Sequence, residues 1–382
     1  MRVLEAISDT NIGGAGKLLL TRLANSDKSR FTSAVVLPKE SKLVEKFQGI
    51  GVKCYGIEGC ADRSFDIGAI REISSIIRDF CPNIINAHGC MSARIAALLC
   101  RVPIRIYTRH CAFDVPRYMR CFPIKQSVGA LSGLLSTNVI AVADAAADNL
   151  IDMGVSKRKI LVIINGVDGC VKYGEAERER ERDRFGFAGC FVVGICARLE
   201  RCKDHATFLR AARVLSRKND KYRFMIIGDG NEKEDLVELC DALGIKEKVI
   251  FTGFTDDVDR YYNCLDLNVN CSIGTETSSL ALSEGMSIGL PSVASSFGGN
   301  PNMVRDGENG FIYEMGNFFE LAERIERIAE DKELYERMSQ SAVRLFETEF
   351  NSKKMTEETE RLYLELFQKK LEEKRMAGES EL

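Results

Sequence analysis

The sequence predicts an α/β protein made of two consecutive doubly wound domains. Three observations carry that prediction. At 382 residues the chain is long enough for two domains of roughly 100–200 residues each. Short continuous apolar runs alternate with amphipathic segments, the pattern of parallel strands covered on both faces by helices. The rhythm stops at a charge run, Glu175–Arg184, and then starts again.

Arg2–Ile7 reads as a strand ending in a polar, glycine-rich turn, Asn11-Ile12-Gly13-Gly14-Ala15-Gly16. Leu18, Leu19, Leu20 and Leu23 then supply the apolar face of a helix, so the chain opens on a βα unit. A strand over 33–37 and a helix around 43–50 follow, then a strand over 84–87 and a helix over 93–100. Residues 104–108 and 139–142 are further strands. The charge run has mixed signs that permit i,i+4 pairs, which favours a solvated helix over a linker. Beyond it, strands are expected at 191–196, 224–227, 249–251, 267–270, 291–294 and 311–312, with helices at 206–215, 233–243 and 279–287. Residues 1–168 and 169–350 form the two expected domains, and 351–382 a separate amphipathic helix that frays into Glu379-Ser380-Glu381-Leu382.

Composition excludes several classes of function. Lys and Arg total 53 against 56 Asp and Glu, a net charge of −3, which argues against a general nucleic-acid binder. No apolar run approaches the roughly 20 residues of a membrane span. Acids at Glu5 and Asp9 interrupt what would be the apolar region of a signal peptide, so a cytoplasmic protein is expected. The fourteen cysteines include no Cys-x-x-Cys and no histidine at zinc-ligand spacing, and read as small thiols in a reducing compartment. The Asp257-Val258-Asp259 triplet reads as a helix cap rather than a metal site.

The Gly13-Gly14 turn permits close approach of backbone amides to a ligand, or is a plain tight turn. It is not a Walker A loop, because Asn11 and Leu18 stand where Gly and Ser or Thr are needed. Nor is it a dinucleotide fingerprint, because Leu19 replaces the third small residue. Gly228-Asp229-Gly230 is a comparable turn after a later strand. Glu276 and Glu284 are separated by seven residues. On a helix beginning just after Glu276, a rise of about 1.5 Å per residue spaces their carboxylates by up to roughly 12 Å. That span suits a nucleotide sugar lying along the helix end, with the amides of Thr277, Ser278 and Ser279 aimed at its diphosphate. A capping acid beside an unrelated surface acid is the alternative. Arg198 and Lys203 follow the strand over 191–196, where two cations can clamp a diphosphate or form a solvated basic loop.

In this order and at these intervals, the motifs resemble those of the family-4 retaining glycosyltransferases. The set comprises Gly13-Gly14, Asn86-Ala87-His88-Gly89, Tyr107-Thr108-Arg109-His110, Asn165-Gly166-Val167-Asp168, Arg198 with Lys203, Gly228-Asp229-Gly230 and Phe251-Thr252-Gly253-Phe254. The Glu276/Glu284 pair, Gly289-Leu290-Pro291, Gly298-Gly299-Asn300 and Asp306-Gly307-Glu308-Asn309-Gly310 complete it. The resemblance implies the GT-B fold, two facing Rossmann-like domains with an interdomain cleft. It also implies metal-independent transfer of a sugar, with retention, from a nucleotide-diphosphate donor to a glycan, lipid-linked or small-molecule acceptor. Such transfer belongs to the synthesis of cell-surface polysaccharide, lipopolysaccharide or glycoconjugates. The nucleotide sugar is a substrate, and no cofactor is implied.

By the same resemblance Arg198 and Lys203 hold the diphosphate, Glu276 the donor sugar and Glu284 the ribose. Gly13, Gly14, Gly228, Thr277, Ser278 and Ser279 line the donor, and His110 stands near its sugar. His88 is read as structural or functional, and His205 as a surface residue. One departure is Thr277, where the family usually has Gly; Gly285 after the second glutamate fits. A sugar-nucleotide epimerase and a non-catalytic partner in a glycan-building complex are the alternative functions. The segment 117–125 mixes basic and apolar residues, and is either a peripheral contact to the inner membrane face or a loop leading to a core-packed helix.

Overall fold

A computed structural model of the chain describes residues 1–112 and 115–378, so the expected fraying at 379–382 lies outside the described residues. The chain divides into two compact units, Met1–Gly166 with Ser352–Leu382, and Val167–Asn351.

The first unit runs β1 (Arg2–Ile7), α1 (Gly14–Ala24), β2 (Thr32–Pro38), α2 (Leu43–Gly49), β3 (Lys53–Ile57), α3 (Ile67–Phe80) and β4 (Ile84–His88). It continues through α4 (Met91–Leu99), β5 (Ile104–Arg109), α5 (Ile124–Leu135), β6 (Asn138–Ala141), α6 (Asp144–Asp152) and β7 (Ile160–Val162). Its seven strands are parallel in the order β3-β2-β1-β4-β5-β6-β7. The second unit runs α7 (Glu175–Arg184), β8 (Phe191–Cys196), α8 (His205–Lys218), β9 (Tyr222–Ile227), α9 (Lys233–Leu243), β10 (Val249–Gly253) and α10 (Asp259–Tyr262). It continues through β11 (Leu267–Asn270), α11 (Leu280–Ser287), β12 (Ser292–Ser295), α12 (Asn300–Met303), β13 (Gly310–Tyr313), α13 (Phe318–Glu330) and α14 (Lys332–Leu345). Its six parallel strands follow the order β10-β9-β8-β11-β12-β13.

Both sheets are doubly wound, with the strand order reversing between β1 and β4 in one and between β8 and β11 in the other. Such switch points leave a crevice at the carboxyl ends of the central strands. The central strands are buried throughout, as in Ile84–His88 and Leu267–Asn270, because helices cover both faces.

The last helix, α15 (Ser352–Ala377), corrects the expected domain plan. It belongs to the first unit, which therefore closes only after the second has been completed. Met355, Leu362 and Tyr363 bury themselves there, and Glu360 accepts from Ser26 Oγ at 2.6 Å and from the Asp27 amide at 2.9 Å. The charge run is a helix, α7, as expected. Arg178 and Arg182 each meet Asp266 at 2.6 Å and dock it beside β11. Asp259 begins the short α10 but does not cap it through its side chain. All fourteen cysteines are free: Cys271 is buried, Cys100 and Cys196 are half-buried, and Cys81, Cys111 and Cys121 are exposed.

Candidate functional site

In the second unit, the residues that follow β8 and β11 converge at the switch point. Lys203 Nζ lies 2.8 Å from Glu276 Oε2 and 3.2 Å from Ser272 Oγ. The same carboxylate oxygen accepts from Ser272 Oγ at 2.9 Å and Asn270 Nδ2 at 3.1 Å. Glu276 is buried, and its side-chain hydrogen bonds among the described residues fall on Oε2. A glycine pair sets the loop behind it. A Cβ at Gly298 or Gly299 would strike the carbonyl oxygens of Glu276 and Thr277, and the Gly299 amide donates to Glu276 O at 3.2 Å. Asn300 extends the support, donating to Ser295 Oγ at 3.0 Å and to Asn270 Oδ1 at 3.3 Å. Gly228, at φ 142°, runs so close to the Ala197 carbonyl that a side chain there has no room.

Three details differ from the sequence reading. Helix α11 does not begin after Glu276 but at Leu280, because Ser279 caps it through Oγ to the Leu282 amide at 3.3 Å. Residues 277–279 are therefore a loop, and the Ser279 amide points to Met303 Sδ at 3.0 Å, not toward an open ligand position. Ser278 Oγ is buried without a partner among the described residues. Arg198 stands apart from the Lys203–Glu276 contacts. Its side chain is 73% exposed and pairs with Glu200 at 2.7 Å. Glu284 is buried, with Tyr262 OH 3.3 Å from its Oε2. His205 is fully buried rather than at the surface. Asp204, in the left-handed conformation, caps α8 and turns His205 onto the apolar stripe it shares with Phe208, Ala212 and Leu215.

The first unit carries a second polar cluster, of which the sequence reading named His110 and weighed His88 but did not name Glu5, Arg22 or Tyr363 as members. His88 ends β4, and His110 follows β5, whose Thr108 is paired with His88. His88 Nε2 lies 2.8 Å from Glu5 Oε2, and His88 Nδ1 lies 2.8 Å from His110 Nε2. Glu5 is fully buried on β1, ion-paired with Arg22 of α1 and 3.2 Å from Tyr363 OH of α15. Burial would raise the Glu5 pKa, but Arg22, His88 and Tyr363 together outweigh it and hold the carboxyl below its ordinary value. Burial, then the repulsion a protonated His88 would exert, holds His110 well below the ordinary histidine range. Glu5 was legible only as an acid inside an apolar strand. Nearby, Gly13 forms the N-cap of α1 with no side-chain cap, so the amides of Gly14, Ala15 and Gly16 at the helix start have no intrahelical partner.

A cavity of about 460 Å³ opens beside these histidines. Asp9, His88, Arg109 and His110 supply polar lining, and Val128, Leu131, Leu135 and Leu150 apolar lining. Burial, then the charge of Asp62, raises the Asp9 pKa. Helix α5, which lines one wall, is not packed into the core. Its buried residues are Ser132 and Leu135, whereas Ile124, Leu131 and Leu134 are exposed, as are Tyr118 and Phe122 before it.

Known proteins share this arrangement. Residues 12–169 match the family described as Glycosyltransferase Family 4, and residues 177–344 match Glycosyl transferases group 1. The chain is a glycosyltransferase of the group 1, family 4 type. This glycosyltransferase is 26% identical over 295 residues to UDP-Gal:alpha-D-GlcNAc-diphosphoundecaprenol alpha-1,3-galactosyltransferase of Escherichia coli, covering 74% of this chain and 76% of that one. It is 23% identical over 277 residues to the capsular polysaccharide biosynthesis glycosyltransferase CapM of Staphylococcus aureus, covering 70% and 72%. Its fold superposes on that of Anabaena HepE, crystallised with UDP and glucose, with a TM-score of 0.81 at 22% identity over 95% and 99% of the two chains. The two-domain α/β fold is thus GT-B. In the glycosyltransferase, Lys203 and Glu276 lie in the group 1 match and His88 and His110 in the family 4 match, whereas Glu5 and Tyr363 lie outside both.

Proposed function

We propose that the protein is a retaining, metal-independent transferase that moves a sugar from a nucleotide diphosphate to a hydroxyl of a lipid-linked glycan, in the synthesis of cell-surface polysaccharide. The observation that carries this reading is the Lys203–Glu276 pair at the switch point. A buried carboxylate there has one oxygen committed to Lys203, Ser272 and Asn270 and the other open to a sugar hydroxyl. The bond from the anomeric carbon to the diphosphate breaks with its electron pair leaving on phosphate oxygen, and fixed cations stabilise that charge. Lys203 is held in place for this role. Arg198 exchanges Glu200 for diphosphate oxygens, as an exposed surface pair allows at little cost. The acceptor oxygen bonds to the anomeric carbon on the face the diphosphate leaves, its hydroxyl proton passing to the departing diphosphate oxygen, which preserves configuration. Glu284 meets the ribose, and the amides at the start of α1 meet the phosphates or the acceptor.

Uridine nucleotides named for the E. coli relative and bound by HepE make UDP-sugars the first donors to test. The lipid on the acceptor rests on the apolar wall of the first unit's cavity and on the exposed apolar residues around α5. The protein accordingly works in the cytoplasm as a peripheral protein at the inner membrane face. A thermal-shift panel of nucleotide sugars, followed by mass spectrometry and anomeric NMR of the products, tests the reading. Transfer with retained configuration and release of nucleoside diphosphate supports it. A product isomeric with the donor, without released diphosphate, replaces it with an epimerase; tight donor binding without turnover replaces it with a non-catalytic partner.

A further inference from the structure

The transfer step above leaves unused the buried chain that runs from Arg22 through Glu5 and His88 to His110. The position of each proton in it follows from the chemistry of its members. Glu5 is ionised, held so by Arg22, and a carboxylate only accepts hydrogen bonds. His88 must therefore carry its proton on Nε2, 2.8 Å from Glu5 Oε2. Arg22 already balances the buried Glu5 charge, so the chain calls for no second cation at His88; with its one ring proton on Nε2, His88 is bare at Nδ1, and the 2.8 Å contact with His110 requires His110 Nε2 to donate. The two ring centroids lie 5.1 Å apart with 27° between the planes, which suits an edge-to-edge bond of this kind. His110 is left with its lone pair on Nδ1, and that atom is buried with no partner among the described residues. An unpaired buried acceptor is costly, so the site is complete only when a donor meets it.

We propose that Glu5 and His88 are positioning residues that lock His110 in the Nε2-protonated tautomer, so that His110 accepts a hydrogen bond at Nδ1 and selects a hydroxyl of the substrate there. An ether or phosphate oxygen, with no proton to give, would set lone pair against lone pair. Tyr363 and Arg22 secure the far end of the chain, with Asn86 donating to Tyr363 OH at 3.0 Å. The identity of the substrate rests on the transferase reading above, whereas the tautomer does not.

Histidine labelled with ¹⁵N in the full chain tests the proposal directly. The protein has three histidines, His88, His110 and His205, so one substitution assigns each ring. The expected spectrum of the unliganded protein shows His110 protonated at Nε2 and bare at Nδ1. Protonation at Nδ1, alone or together with Nε2, overturns the proposal. Two variants then separate positioning from packing. His88→Asn places an amide oxygen near the lost Nδ1 and still accepts from His110, whereas His88→Gln reaches toward Glu5 and leaves His110 Nε2 without an acceptor. His88→Asn is expected to keep the His110 signature and kcat/KM within about threefold of wild type, and His88→Gln to lose both, with kcat/KM down about tenfold. Equal behaviour of the two variants removes His88 from the role. The wild-type spectrum decides even if a variant fails to fold, and because it needs neither donor nor acceptor it stands if the transfer reading fails.

Discussion

Lys203 and Glu276 are each other's main polar partner in a largely buried setting, and removing one leaves the other uncompensated. Lys203→Met is expected to lower stability by about 3 kcal/mol in denaturant unfolding and transfer by about 10²–10³-fold. Arg198→Ala should separate the two effects. Its pair with Glu200 is exposed, so stability should change by less than about 0.5 kcal/mol while transfer still falls. An Arg198→Ala protein with full turnover would remove that residue from the donor site. His205 offers a pH signature of its own. Burial, with added repulsion from Lys203, holds its pKa at about 4, against 6.5 ordinarily. Between those values the unfolded chain binds a proton that the folded protein refuses. This contribution to stability is therefore intact above the ordinary value and is lost as pH falls toward about 4, on the order of 3 kcal/mol in all. His205→Leu, which fits the apolar stripe of α8, should flatten the fall in unfolding free energy between pH 7 and pH 4.5 by about 2 kcal/mol. An unchanged acid limb would mean that His205 titrates freely in the native state.

Among the elements, strands buried on both faces were legible from sequence, and so were the edge strands β10 and β13 of the second sheet, whereas the edge strands of the first sheet were not. Phe191–Cys196 is a continuous apolar run because helices cover both sides, and Leu267–Asn270 is buried throughout although Asn268 and Asn270 alternate with its apolar residues. β3 and β7 lie at the two edges of the first sheet, half exposed, and Lys53–Ile57 carries no such run. A helix beginning just after Glu276 starts three residues early, because Thr277, Ser278 and Ser279 can each cap and only tertiary contacts select Ser279. Lys203 and Glu276 were legible as an ordered motif, but Glu5 was not, since its meaning depends on Arg22 and on a tyrosine 358 residues away. That tyrosine makes α15 part of the first unit's polar core. Tyr363→Phe keeps the ring but removes the hydroxyl between Glu5 and Asn86. It is expected to cost about 1–2 kcal/mol, read as faster hydrogen exchange in β1 and β4 with α8 unchanged. Uniform acceleration across both units would show that the hydroxyl has no local role.

For the molecule as a whole, a net charge of −3 disfavours approach to an anionic bilayer, so any such contact must be local. The segment before and along α5 has the required composition. Arg117, Arg120 and Lys125 are interspersed with exposed Tyr118, Phe122 and Ile124, and Leu131 and Leu134 continue the apolar surface. Among the described residues no helix is long and apolar enough to cross a membrane, so this surface would act by lying on the lipid. Each basic residue near an anionic surface contributes about 1 kcal/mol, and the inserted apolar side chains add to it. Three such charges alone therefore predict an affinity difference of about 100-fold between anionic and neutral vesicles. The protein should float with vesicles rich in anionic lipid and remain behind with neutral ones. Substituting Arg117, Arg120 and Lys125 together by Glu should abolish flotation while leaving transfer to a water-soluble acceptor analogue intact. Replacing Phe122 and Leu131 by Ser should weaken binding even at high salt, where the charge contribution is screened but the apolar one persists. Flotation unaffected by either set of substitutions would place the lipid contact elsewhere on the chain, and no flotation at all would leave the apolar face of α5 to some other partner.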